Sequence, residues 1–284
     1  MRILILGANG MLGSAMLRFF MQKSGHETWG TIRGAGISRL PADTHDRLCT
    51  GIDVLDQDAL VSALQKIRPD VVINCVGLIK QLKTANDPLS VLPINAMLPH
   101  RLARLCALIG ARLVHISTDC VFSGKKGGYK ESDPSDAEDL YGKSKFIGEV
   151  HDQKHVITLR TSIIGHELDS SHALVDWFLS QQGSVKGYTK AIFSGLPTAE
   201  LARLIHDHVL THPELSGLYH VSAQPIAKFD LLKLIAAQYN KMIQIDPDHQ
   251  LVLDRSLDST SFAKAAGYIA PDWPALIAYM YQQR

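Results

Sequence analysis

The sequence predicts an α/β fold: a Rossmann-type, doubly wound parallel sheet with a smaller C-terminal lobe. Three observations carry this expectation. Strand-like apolar runs alternate with stretches of helical periodicity through the first 160 residues, as happens when parallel strands are joined by crossover helices. Ile3-Leu4-Ile5-Leu6 and Val71-Val72-Ile73 are apolar without interruption, the pattern of strands buried on both faces. Gly7, Gly10 and Gly13 stand between the first apolar run and the first helical stretch, where such a chain turns sharply from strand to helix.

Taken in order, strands are expected over residues 2–6, 26–32, 47–52, 71–75, 112–117 and 155–160, and helices over 11–23, 56–67 and 89–109. Asp56 can cap the second helix by accepting from the free N–H groups of its first turn, and Pro69 ends it before the next strand. Pro93 and Pro99 should break or kink the third helix, since each lacks an amide donor. Beyond residue 160 the rhythm loosens, with helical patterns at 172–182, 198–211 and 228–239 and a strand at 217–222. The expected division is a dinucleotide-binding domain, 1–160, and a smaller substrate-binding lobe, 161–284, with interleaved segments. No repeat, low-complexity tract or linker separates them.

Composition narrows the function classes. With 284 residues, 46% hydrophobic and 20% charged, at a formal charge of +1, nothing biases the chain toward nucleic acid or an anionic membrane. Cys49, Cys75, Cys106 and Cys120 form no C-x-x-C pair, and three lie in apolar stretches, so reduced thiols and a cytoplasmic location are expected. The apolar run Ile3 to Leu6 is too short for a signal-peptide core, and no segment has the length to span a bilayer.

Glycines at the first strand-to-helix turn let the backbone approach a pyrophosphate while the helix N-terminus offers donors and positive potential. The spacing here is G-x-x-G-x-x-G, so Gly7, Asn9, Gly10, Met11, Leu12 and Gly13 are the expected phosphate-binding turn. About 20 residues further on, an NAD site usually carries a carboxylate for the ribose 2′-hydroxyl. This chain has Thr31-Ile32-Arg33, with no Asp or Glu between Glu27 and Asp43. Arg33 suits a 2′-phosphate, so the expected cofactor is NADPH, or NADH as the alternative.

Tyr141 and Lys145 form Y-x-x-x-K in a helical stretch, 140–150, one turn apart on the same face. A free tyrosine titrates near ~10, and a neighbouring ammonium is expected to lower that value toward useful acid/base chemistry. Ser117-Thr118-Asp119 ends a predicted strand, the edge where open α/β sheets gather ligands, and the Thr118 hydroxyl can hold a substrate carbonyl near Tyr141. Cys75-Val76-Gly77 follows the preceding strand, where its glycine admits a cofactor close to the backbone. Asp53 and Val54 are placed to meet an adenine edge, and Asn95 is a further candidate.

The chain resembles the extended short-chain dehydrogenase/reductase superfamily and, within it, the dTDP-4-dehydrorhamnose reductase family. The resemblance rests on the stretch from Gly7 to Gly13, on Ser117-Thr118-Asp119-Cys120-Val121-Phe122-Ser123-Gly124, and on Tyr141-Gly142-Lys143-Ser144-Lys145 with Gly148-Glu149. Further support comes from Leu159-Arg160-Thr161-Ser162, Pro197-Thr198, Gly217-Leu218-Tyr219-His220 and Ser256-Leu257-Asp258. It implies that Tyr141 is the general acid at a sugar C4 oxygen, that Lys145 holds the nicotinamide ribose, and that Thr118 orients the carbonyl. Ser117 and Ser162 join the cofactor contacts, and Asp119, Phe122, Ile163, Lys80 and Arg255 the candidate substrate contacts. The implied activity is NADPH-dependent reduction of the C4 keto group of a nucleotide-linked 4-keto-6-deoxy sugar for cell-surface polysaccharide precursors.

Two departures leave the substrate open. The family commonly has an aromatic residue where this chain has Ile163, and Leu78-Ile79-Lys80-Gln81-Leu82-Lys83 differs from the family's usual segment. An epimerase/reductase acting on a UDP-N-acetyl sugar keeps the same fold. So does a non-catalytic dinucleotide-binding regulatory subunit, as the β subunit of methionine adenosyltransferase is in this superfamily. A nucleotide sugar is the expected partner, with a homodimer open and neither nucleic acid nor membrane. Of thirteen histidines, His151 with His155, and His206 with Asp207, His208 and His212, have spacings that invite a metal, but neither group has a third ligand in register, so no metal is expected. Trp177-Phe178 reads as lobe packing.

Overall fold

Alternate residues of the first strand, β1 (Arg2–Leu6), meet different cores. Ile3 and Ile5 belong to one apolar cluster, whereas Leu4 and Leu6 belong to another, which is the two-residue periodicity of a strand covered on both sides. The computed structural model describes every residue except 35, 36, 38, 39, 81–83, 169 and 170. After β1 come α1 (Met11–Met21), β2 (Glu27–Thr31), β3 (Leu48–Cys49), α2 (Gln57–Ile67), β4 (Val71–Asn74), α3 (Pro88–Val91), α4 (Leu98–Ile109), β5 (Arg112–Thr118), α5 (Leu140–Ile147) and β6 (Val156–Thr161). The remainder comprises β7 (Ile163–Ile164), α6 (Leu174–Ser180), β8 (Ser184–Phe193), β9 (Leu196–Pro197), α7 (Thr198–Leu204), β10 (Gly217–His220), β11 (Ile226–Ala227), α8 (Lys228–Gln238), β12 (Gln244–Asp254), α9 (Thr260–Ala266) and α10 (Trp273–Gln282).

Among the described residues, seven strands form one parallel sheet in the order β3-β2-β1-β4-β5-β6-β10. This is the doubly wound order, reversing between β1 and β4. Helix α1 shares its core with α7 and α10 on one face, and α2 and α4 share theirs on the other. Strand β10, from the part beyond residue 161, pairs with β6 and completes the central sheet. A second sheet, β11-β8-β12, and the pair β7-β9 occupy the C-terminal part. The segment between β5 and α5 joins that part as well, since Tyr129 donates its N–H to Ser256 and Asp258 donates to the Tyr129 carbonyl.

Two local outcomes differ from the expected elements. The strand expected at 47–52 shrinks to Leu48–Cys49: among the described residues β3 is a sheet edge pairing with Gly30 and Thr31, and Gly51 turns the chain at φ +73°. The helix expected at 89–109 does not break at its prolines. A π-helical turn, Leu92–Met97, joins α3 to α4, and Leu98 donates to the Pro93 carbonyl five residues back. The wider turn absorbs the missing proline donors. Asp56 caps α2 through bonds from Asp58 and Ala59.

Glycine is required where α1 crosses β1. A Cβ on Gly13 would sit 2.0 Å from the Gly7 carbonyl oxygen, so Gly13→Ala should push α1 off the strand, destabilising the protein by roughly 1–3 kcal/mol and weakening dinucleotide binding. Phe20, fully buried on the inner face of α1, should cost about 3–5 kcal/mol when replaced by alanine. Urea unfolding curves check both, with a lowered midpoint expected for each variant and an unchanged slope for Phe20→Ala.

Candidate active site

The loops after β1 and β4 touch at the point where the sheet order reverses. Gly7 turns there with φ +79°, and a Cβ on it would meet Val76 Cγ2 at 3.0 Å and the Cys75 carbonyl carbon at 3.5 Å. Thr31, at the end of β2, supports the turn: its hydroxyl accepts from Gly7 N at 3.3 Å and its carbonyl from Ala8 N at 2.9 Å. The N-terminus of α1 has Gly10 as its cap, no side-chain cap bond and no acidic residue in its first turn. Its free N–H groups and dipole therefore face an open, glycine-lined cradle with Asn9 exposed beside it, which fits a pyrophosphate. Met11 and Leu12 begin the helix behind it.

Arg33 is exposed just beyond β2, and Asp53 and Val54 are half-buried beyond β3, on the same edge of the sheet. Asp53 accepts from Leu55 N at 2.9 Å, which shapes that loop. Cys75, Val76 and Gly77 follow β4, with burial pushing the Cys75 thiol up to about 12. Asn95, buried in the π turn, holds this loop: its side chain accepts from Leu78 N at 2.9 Å and donates to the Leu78 carbonyl at 3.0 Å and to Ser144 Oγ at 3.3 Å.

Thr118, Tyr141 and Lys145 come together where β5 ends against α5. Asp139 caps α5 by accepting from Gly142 N at 2.7 Å. Gly142 lets the helix approach the preceding loop, since a Cβ there would lie 2.2 Å from the Cys120 carbonyl oxygen. Lys145 is buried and donates to the Ile116 carbonyl at 2.7 Å. Burial lowers its ammonium to about 8, opposed first by Glu149 and then by Cys75. Tyr141 departs from expectation. Its hydroxyl is pushed up, first by desolvation and then by Cys120, with the hydrogen bond to Thr118 opposing them; Lys145 is not among its leading influences. A tyrosine in that state is a protonated donor at neutral pH.

Beyond Thr118 lies a charged cluster. Burial raises the Asp119 carboxyl, while Arg255 and Lys228 oppose that shift. Arg255 donates to the Phe122 carbonyl at 2.7 Å and to Cys120 Sγ at 3.6 Å. Lys228, at the start of α8, is half-buried, and its ammonium makes no hydrogen bond among the described residues; desolvation lowers that ammonium, with Asp119 and Cys120 opposing. It escapes sequence reading because it lies 109 positions from Asp119 in an ordinary amphipathic helix. Lys80 is paired with Asp139 at 2.5 Å, which ties it to the cap of the helix bearing Tyr141. The neighbouring Gln81-Leu82-Lys83, part of the atypical segment, lies outside the described residues.

One expected contact is corrected and a second is narrowed to its backbone. Phe122 is fully buried, stacked on Tyr129 at 4.1 Å between ring centres and packed with Val121 and Leu257, so its ring cannot touch a substrate. Ser117 is buried and donates its hydroxyl to Glu149 at 2.7 Å, leaving only its backbone for a cofactor. Ser162 is half-buried, and its carbonyl accepts from Leu196 N at 2.9 Å. Ile163 sits in β7, paired with Leu196. Trp177 is partly exposed and Phe178 is in the core. Four of the five candidate metal histidines have local partners: His155 bonds the Ala103 carbonyl, His206 Asp207, His208 the Ala266 carbonyl and His212 the His208 carbonyl. All four cysteines are free thiols. No helix among the described residues is long and apolar enough to cross a membrane.

Comparison with known proteins agrees with this architecture. Methionine adenosyltransferase 2 subunit beta of Xenopus tropicalis is 27% identical over 252 residues, covering 84% of this chain and 72% of that protein. The dTDP-4-dehydrorhamnose reductase of Streptomyces griseus is 32% identical over 149 residues, 52% of this chain and 43% of the reductase. The crystal structure of dTDP-4-dehydrorhamnose reductase from Bacillus anthracis, in complex with NADP, superposes with a TM-score of 0.79 at 23% identity over 99% of both chains. Residues 1–255 match the RmlD substrate binding domain, and the chain belongs to that family, on the extended short-chain dehydrogenase/reductase fold.

Proposed function

We propose that this protein is an NADPH-dependent reductase of a nucleotide-linked sugar, acting on the C4 keto group of a 4-keto-6-deoxy sugar. The observation that carries the reading is the meeting of the Thr118 and Tyr141 hydroxyls at the end of β5, with Tyr141 kept as a proton donor by desolvation. The reductase names of the Streptomyces griseus and Bacillus anthracis proteins, and the NADP bound by the latter, support it.

In this reading Gly7, Asn9, Gly10, Met11, Leu12 and Gly13 hold the cofactor pyrophosphate, Arg33 faces the 2′-phosphate, and Asp53 and Val54 face the adenine. Cys75, Val76, Gly77, the backbone of Ser117, and Ser162 flank the nicotinamide half, with Asn95 fixing the loop. Lys145 donates to the ribose. When bound, NADPH would supply the hydride for the sugar C4 carbon. Thr118 donates to the C4 oxygen and aligns it, and Tyr141 delivers the proton that makes it a hydroxyl; the tyrosine is then reprotonated from solvent. Lys228, Arg255 and Lys80 present positive charge to a diphosphate, with Asp119 placed against the sugar and Ile163 lining the same edge. The product serves as a precursor of cell-surface polysaccharide, made in the cytoplasm.

A second reading, in which the chain acts as a subunit of another enzyme, is favoured by the match to methionine adenosyltransferase 2 subunit beta. A panel of nucleotide-linked 4-keto sugars, assayed for NADPH oxidation with product stereochemistry by NMR, decides between them. Turnover with net NADPH consumption is expected. Hydride return with no net consumption would indicate an epimerase, and no turnover across the panel would favour the subunit reading.

Three outcomes follow for the reductase. Tyr141→Phe should lower kcat by about 10²–10⁴ while the NADPH dissociation constant stays near that of the parent. Because the Lys145 ammonium is present below about 8 and lost above it, kcat/KM should fall along a basic limb centred near that pH. Arg33→Ala should raise KM for NADPH roughly tenfold and leave KM for NADH unchanged; equal changes for both cofactors would remove Arg33 from 2′-phosphate recognition.

A further inference from the structure

We propose that Glu149 is a positioning residue for this site: its carboxylate locks the helix carrying Tyr141 and Lys145 onto the strand carrying Thr118, and keeps a negative charge facing Lys145. The proposal rests on the preceding assignment of Tyr141 and Lys145.

Glu149 follows α5 by two residues and is 5% exposed. The intervening Gly148 has no room for a side chain, because a Cβ would lie 2.0 Å from the Asn95 carbonyl oxygen. The chain thus runs hard against the π turn on its way to Glu149. Oε1 accepts from Ser117 Oγ at 2.7 Å and from Arg160 Nε at 2.7 Å, and Oε2 accepts from Arg160 Nη2 at 2.6 Å. Lys145 holds the Ile116 carbonyl. Consecutive residues of β5, Ile116 and Ser117, are therefore gripped by two side chains four positions apart, and Thr118 comes next. Sliding or rotating α5 against β5 breaks both bonds, so the register of Tyr141 against Thr118 is set by this double grip.

The same carboxylate reaches outward across the sheet. Arg160, on β6, places Nη1 3.2 Å from His220 Nε2 on β10, and its guanidinium lies 5.2 Å from the centre of the Phe122 ring. His220 Nδ1 meets the Tyr129 carbonyl at 3.0 Å, and its backbone N–H donates to Glu131 at 2.9 Å. With Nδ1 donating to that carbonyl, Nε2 is the acceptor for Arg160, and burial keeps the ring neutral. β5, β6, β10, α5 and the loop before α5 all meet through one bidentate pair.

An apolar pair of similar volume serves stability as well as a buried ion pair does, but it can neither accept from Ser117 nor face Lys145. The charged and titratable groups around Lys145 are Glu149 after α5, Cys75 after β4, His115 on β5 and Tyr141 on α5. Glu149 is the leading one that favours the ammonium, Cys75 follows, and His115 is buried and neutral beside Asn74.

Glu149→Gln removes the charge while its amide oxygen retains an acceptor for Ser117. The titration midpoint of Lys145, read from its ¹³Cε shift and assigned by comparison with Lys145→Arg, should fall by roughly one pH unit. The basic limb of kcat should move with it, and KM for the nucleotide sugar should stay within about twofold. Glu149→Asp should return the midpoint toward the parent value. Ser117→Ala keeps the charge and loses one grip, so kcat should drop severalfold with the limb in place. A folded Glu149→Gln protein with the parent midpoint would falsify the proposal. If that variant does not fold, the other two decide: parent kcat in Ser117→Ala, or a Glu149→Asp midpoint below the parent by a full unit, overturns it. Should the parent protein reduce no sugar at all, the functional reading falls while the ¹³C midpoints still test Glu149.

Discussion

A parallel sheet obliges every strand to end on the same edge, and that constraint organises this protein. Each connection must cross a face of the sheet to begin the next strand, so the turns after β1, β2, β3, β4, β5 and β6 gather along one rim. Where the order reverses between β1 and β4, the outgoing loops diverge to opposite faces and leave a crevice. Gly7 and Val76 touch at its floor, and the uncapped end of α1 opens into it. One strand further along, β5 delivers Thr118 to the same rim and α5 covers it.

The rim is also where the protein buries charge. Lys145, Glu149 and Arg160 are each nearly inaccessible, and removing one member of such a group typically costs about 3–5 kcal/mol because its partner is stranded. The compensation is local: Glu149 takes three hydrogen bonds, and Lys145 donates to a carbonyl. Tyr141 is governed by the same low-dielectric surroundings with the opposite consequence. Desolvation penalises its phenolate more than Thr118 favours it, and the hydroxyl stays protonated. For a group asked to donate a proton to a developing alkoxide, that is the useful state.

The places of Phe122 and Ser117 share a cause. Phe122 and Ser117 stand beside residues of the site in the chain, but alternate side chains of a strand and the turn after it point to opposite sides. Ser117 therefore faces Glu149 under the rim while Thr118 faces upward, and Phe122 folds back onto Tyr129. The expected influence of Lys145 on Tyr141 came from their spacing alone; the carbonyl of Ile116 takes the ammonium, and burial dominates the phenol. Lys228 and Arg255, by contrast, reach Asp119 and Cys120 from α8 and from the end of β12, through contacts that no local pattern encodes.

Local physics accounts for what was legible in the chain itself. Short uninterrupted apolar runs bounded by turn residues fit strands buried on both faces, the spacing of Gly7, Gly10 and Gly13 is a backbone requirement of the first turn, and Asp56 caps α2 within its own four residues, so the sheet's inner strands and the dinucleotide cradle are visible in the sequence. The second sheet is not. β8 and β12 mix charged and apolar positions, Pro247 lies inside β12, and the pairing shifts between Asp248 and Val252, so both strands owe their conformation to each other rather than to periodicity. Joining β10 to β6, threading the helix through its prolines by a π turn, and bringing Glu149 beneath Ser117 all depend on contacts between distant segments. Their free energies appear only when the core is assembled, and tertiary packing alone decided them.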